Sequence, residues 1–185
     1  MYYFHFNKGT VYLPHKKSES LPIIVSTYGR GESHWPKRVE EALRVAVNKQ
    51  NIGFVVFHEG NPAEMAAWVK PRYFTDPDRV GIFSLGEPVY ASDIFEDGLA
   101  FSVVTVPHGR DPNTDTFIPT LYLQGTGEKV SLETLKLKKS EIVRRENAGT
   151  KSAHVIFKGS DEYLFNVMKY AVDETVRWLS ALYTR

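Results

Sequence analysis

The sequence predicts a single α/β domain: a mixed β-sheet flanked by helices, with one βαβ crossover, added antiparallel strands and an N-terminal hairpin. Three observations predict it. Short apolar runs bounded by Gly, Pro and Asn alternate with segments of helical periodicity. One of those runs, Phe54-Val55-Val56-Phe57, is apolar at every position, as expected of a strand covered on both faces in a parallel sheet. Finally, the 185 residues, 42% hydrophobic and 24% charged, show no linker composition. Residues 1–185 therefore read as one domain, large enough to bury a core without metal or disulfide.

The elements follow in order. Tyr3–Phe6 and Thr10–Leu13, joined by Asn7-Lys8-Gly9, read as a β-hairpin. Pro22–Ser26 is a buried strand. A helix is expected over Pro36–Lys49, because Val39, Leu43, Ala46 and Val47 share one helical face and Pro36 suits a first turn. Phe54–Phe57 follows as a strand and completes a right-handed βαβ unit. Asn61-Pro62-Ala63-Glu64 is a capping signature for a short helix with Met65, Trp68 and Val69 on its apolar face, stopped by Pro71. Val80–Phe83, Phe101–Val106 and Leu121–Leu123 are further strands. Ser131–Glu146 fits helix and strand alike. His154–Phe157 reads as the last strand, and a helix capped by Ser160 or Asp161 runs to Tyr183 with Leu164, Met168, Ala171, Val172, Leu179 and Leu182 on its stripe.

Composition removes several classes of function. With no cysteine, the chain has no thiol chemistry, disulfide or Cys-ligated zinc. A net charge of +1 gives no global field toward nucleic acid or a membrane surface. The N-terminus, MYYFHFNKG, lacks the basic-then-apolar order of a signal peptide, and no apolar run reaches the ~20 residues of a membrane span. A cytoplasmic location is the expectation.

Ligands of open α/β sheets sit outside the carboxyl ends of strands. Three predicted strands exit there into polar, glycine-containing segments: Thr27–His34, His58–Asn61 and Pro107–Asn113. If the strands run parallel, these exits face one crevice. Arg30 and Arg110 are then suited to grip a phosphate or carboxylate through paired hydrogen bonds. Gly29, Gly31, Ser33 and His34 would line the same loop, beside the anion-attracting start of the following helix. Glu59 is the expected base or nucleophile, with His58 and His108 assisting. Taken singly, such residues are more often turn formers, caps and solvated loop positions.

Other motifs fail on their spacing. Gly29-Arg30-Gly31-Glu32-Ser33-His34 opens like a dinucleotide fingerprint, but His34 stands where a glycine is needed. No phosphate-loop lysine motif is present. Asp111-Pro112-Asn113-Thr114-Asp115 starts like a calcium loop, yet its sixth position is not glycine and Tyr122 stands in place of the bidentate Glu. His34, His58, Glu59, His108 and Asp111 show no metal-ligand spacing, so no metal is expected, and the sequence leaves any cofactor unknown. The basic group Lys136, Lys138, Lys139, Arg144 and Arg145 lacks interleaved aromatics and reads as a solvated face.

The reading that results is a small-molecule-binding domain for an anionic ligand, a nucleotide or sugar phosphate, with hydrolase or transferase activity as its enzymatic form. The alternative is a non-enzymatic interaction or assembly protein, such as a virion, complex-building or inhibitory component. It would act as a homo-oligomer or on a protein partner, through the aromatic hairpin and through Tyr163, Tyr170, Trp178 and Tyr183 of the last helix.

Overall fold

A computed structural model describes residues 1–15, 20–27, 41–42, 45–49, 51–58, 62–84, 98–105, 118–126, 151–160, 164 and 166–183. Eight strands form one sheet: β1 (Tyr2–Phe6), β2 (Gly9–Leu13), β3 (Leu21–Thr27), β4 (Gly53–Phe57), β5 (Thr75–Ser84), β6 (Phe101–Thr105), β7 (Thr120–Gly125) and β8 (Ala153–Phe157). Two helices are described in full, α1 (Pro62–Val69) and α2 (Met168–Tyr183), and residues 41–42 and 45–49 are helical.

The strand order is β1-β2-β4-β3-β5-β6-β7-β8. The hairpin β1–β2 and the pair β2–β4 are antiparallel; every pair from β4 to β8 is parallel. The mixed α/β sheet of the sequence reading is therefore present, with a parallel part wider than one crossover.

Alternation along the strands sorts the core into two layers. One layer joins Ile24, Phe54, Val56, Phe83, Phe101, Val103, Leu121 and Leu123 to Ala42, Ala46 and Val47 and to the inner face of α2. On the opposite face Val11, Ile23, Val25, Val55, Phe57, Val80 and Ile82 pack under Met65, Ala66 and Val69 of α1. Among the described strand residues this second apolar layer ends at β5, with Leu99 and Ile118 adjoining it. Beyond it the same face carries Ser102, Thr120, Tyr122 and Gln124, all buried, together with His154. Ser102 Oγ and Thr120 Oγ1 lie 2.9 Å apart, and His154 Nε2 donates to Gln124 Oε1 over 2.8 Å.

Two local expectations change. The strand expected over Val80–Phe83 begins at Thr75, because Asp76-Pro77-Asp78, turn-like in sequence, is carried as an irregularity opposite Leu21–Ile23. Asp76 holds it by accepting from the Asp78 N–H and from the Arg79 guanidinium. The last helix starts at Met168 instead of Ser160 or Asp161. Leu164, expected on the helix stripe, is buried in the same core but precedes the helix with a left-handed φ of 58°, and Ser160 Oγ donates to Asn166 Oδ1 rather than capping the helix. Trp178 and Tyr183, partly buried, pack edge-on against the Phe101 ring at 6.3 and 6.2 Å. The expected helix over Pro36–Lys49 is helical at its described positions. Ser131–Glu146 lies outside the described residues.

Candidate functional site

The strand order fixes where a crevice belongs. From β3 the chain moves to β4 on one side, then crosses back to β5 on the other, and β6, β7 and β8 continue outward from there. The order reverses between β3 and β5, the place where parallel α/β sheets open a ligand crevice at their carboxyl edge.

Registers make that edge level. Thr27 pairs with Phe57, Ser26 with Phe83, and Ser84 with Val104. The ends of β4, β3, β5 and β6 thus lie side by side across three interstrand spacings, about 14 Å. The condition placed on the three polar exits, that their strands run parallel, is met by β3, β4 and β6.

Of the residues expected to form the site, His58 is the one described. It follows β4 directly, is exposed, and its backbone N–H donates to the Lys8 carbonyl at 2.8 Å. Arg30, Gly29, Gly31, Ser33, His34, Glu59, His108 and Arg110 lie outside the described residues. Among the described residues no cluster of His, Asp or Glu could hold a metal ion.

Two features of the edge escaped the sequence reading. Because β2 runs antiparallel to β4, with Gly9 opposite Phe57, the β1–β2 turn comes to the carboxyl edge and brings Lys8 beside His58. The exit of β5 also lies at the switch, although its sequence, Ser84-Leu85-Gly86-Glu87, was not counted among the polar exits. A serine ending the strand and a glycine two residues on were the available signals.

At the far end of the same edge, the exits of β7 and β8 are tied together. The Thr126 N–H donates to the Phe157 carbonyl at 3.1 Å, and the Gly159 N–H donates to Thr126 Oγ1 at 3.0 Å. The strongly shifted group of the described structure is elsewhere: burial pushes the Tyr183 hydroxyl up to about 12, with Arg79 and Asp76 acting in opposite directions. Those partners belong to the amino-terminal part of β5, so this tyrosine is remote from the crevice.

Strand order and direction can now be compared with known proteins. No family model matches the chain, and no curated relative does. Solved structures do. A Klebsiella pneumoniae protein described as a dienelactone hydrolase superimposes with a TM-score of 0.64 at 13% identity, over 93% of this chain and 92% of its own. The native esterase 2 of Thermogutta terrifontis gives 0.63 at 12% identity, over 95% and 87%. The fold is α/β-hydrolase-like. The AtxE2 isopeptidase, in an S527A variant with a bound astexin, gives 0.62 at 11% identity, over 97% of this chain and 39% of that larger one. At such identities the likeness establishes the fold and nothing finer. No helix among the described residues is long and apolar enough to cross a membrane.

Proposed function

We propose that this chain is a small-molecule-binding domain on a hydrolase-like scaffold, taking an anionic ligand at the carboxyl edge over β3, β5 and β6. The observation that carries the reading is the shared direction and level register of β4, β3, β5 and β6, from which the polar exits depart. In hydrolases of this architecture the loop after β3 supplies a backbone N–H to a developing oxyanion. Here the segment after β3 reads Tyr28-Gly29-Arg30-Gly31, a glycine-flanked cation suited to a carboxylate or phosphate.

Arg110, following β6, is the second cation of the reading. Ser33, His34 and His108 complete the polar lining. Glu59, beside His58, is the base available to draw a proton from water, which gives the hydrolase form of the proposal its chemistry. The neighbours' names, hydrolase, esterase and isopeptidase, favour a ligand bearing an acyl or carboxylate group over a nucleotide.

The test is ligand-dependent thermal stability, because a compound that binds only the folded state raises the melting temperature by mass action. A panel of carboxylates, lactones, phosphate esters and nucleotides at about 100 times their Kd would add roughly 2.7 kcal/mol. Arg30→Ala and Arg110→Ala are expected to remove the shift while leaving the unliganded melting temperature in place. A panel without effect on the wild-type protein would refute the reading.

A further inference from the structure

The exit of β5 carries information that the other exits do not. In α/β-hydrolase sheets the nucleophilic serine stands on a sharp, strained strand-to-helix turn, in a G-x-S-x-G sequence whose glycines allow the bend. The serine at this exit is built differently. Ser84 is the last residue of β5 and remains in the ladder, paired in register with Val104 of β6.

Sequence around it departs from the elbow motif on the strand side. The position two before Ser84 is Ile82, a buried member of the α1-side core, where the elbow would carry glycine. Gly81, one step further back, serves another purpose, since the Phe101 ring lies where its Cβ would be. Beyond Ser84 the chain reads Leu85-Gly86-Glu87-Pro88, so the second glycine of the motif is in place and the first is not, and there is no cysteine to take the nucleophile's role.

The base is also displaced. The triad of this fold follows the chain order Ser, Asp or Glu, His. His154, the last histidine in the chain, lies inside β8, three residues before the strand ends, with Nε2 donating to Gln124 Oε1. The segment 158–183, from the exit of β8 to the end of α2, contains no histidine.

We infer that this chain handles its ligand without forming a serine ester: it binds, and any hydrolysis proceeds by direct attack of water, with no covalent intermediate at β5. The inference rests on the carboxyl-edge reading for the ligand's position, but it is tested separately. Folded wild-type protein is incubated with paraoxon, which phosphorylates the Thermogutta terrifontis esterase 2, and its intact mass is measured with that esterase as positive control. Hydrolysis of p-nitrophenyl acetate is followed in parallel for wild type and Ser84→Ala, each checked for folding by circular dichroism.

The expected results are an unmodified mass and ester hydrolysis equal within twofold in the two proteins. A stoichiometric phosphoryl adduct on Ser84 or any other serine, or a tenfold loss of hydrolysis in Ser84→Ala, would overturn the inference. The melting-temperature panel reports on the other reading: a ligand shift together with an adduct overturns only the non-covalent mechanism. An unmodified mass without any ligand shift overturns the binding site and upholds only the absence of a serine ester.

Discussion

Gly81→Ala is expected to destabilise the protein by about 3 kcal/mol or more, the upper range for forcing extra atoms into a packed core. The cause is local and steric. Phe101 is fully buried in the α2-side layer, and its ring edge occupies the space above Gly81, so an added Cβ would overlap three ring carbons. The ring has nowhere to retreat, with Trp178 and Tyr183 packed edge-on against it. Phe101→Ala removes the ring altogether and should cost about 3–5 kcal/mol. In the double variant the alanine methyl occupies part of the space the ring leaves. Its loss should therefore fall short of the sum of the single losses by more than 1 kcal/mol, a coupling of the size roughly expected for touching residues. Urea denaturation of the four proteins measures this. Strict additivity would mean that Gly81 and Phe101 are not in contact.

Trp68→Ala carries the second large effect, about 3 kcal/mol, at the low end for tryptophan because this side chain is only partly buried. Its ring stacks on Phe6 with centroids 4.1 Å apart, meets Phe57 edge-on at 5.8 Å, and has the Arg72 guanidinium 4.1 Å above it. Aromatic pairs of this kind add about 0.5–1.5 kcal/mol beyond the area they bury. Trp68 thereby pins α1 to the N-terminal hairpin. The variant should lose amide-exchange protection first in β1 and β2, while β5–β7 keep theirs. Equal loss of protection throughout the sheet would contradict that division of labour.

Much of this fold is legible in short stretches of sequence. The hairpin, the all-apolar β4, the Asn-Pro-x-Glu start of α1 and the stripe of α2 each follow from local periodicity and capping. Neighbour choice is not written locally. Nothing in Val80–Phe83 or Leu121–Leu123 says that β5 lies beside β3 or that β6, β7 and β8 all run parallel, because those pairings are settled by long-range packing of the two core layers. The errors were local conflicts of another kind. Asp76-Pro77-Asp78 carries turn chemistry that the sheet absorbs as an irregularity, and Ser160 offers a cap whose hydroxyl is taken by Asn166. Lys8 went unnoticed as an edge residue because its position depends on the antiparallel pairing of β2 with β4. The position of Ser84 at the crevice likewise depends on β5 being the strand at the switch.

The exits of β3, β4 and β6 were recognised from glycine and charge alone, and topology brings those strand ends to one level edge. Whether a ligand sits there is read most directly from backbone amide shifts in a ¹H–¹⁵N spectrum, titrated with benzoate and, separately, with inorganic phosphate. The account predicts saturable shifts concentrated at the carboxyl ends, at Thr27, His58, Ser84 and Thr105, with Leu21, Gly53, Phe101 and Thr120 at the amino ends unmoved. Shifts confined to the amino ends, or to the outer strands β1 and β8, would contradict it.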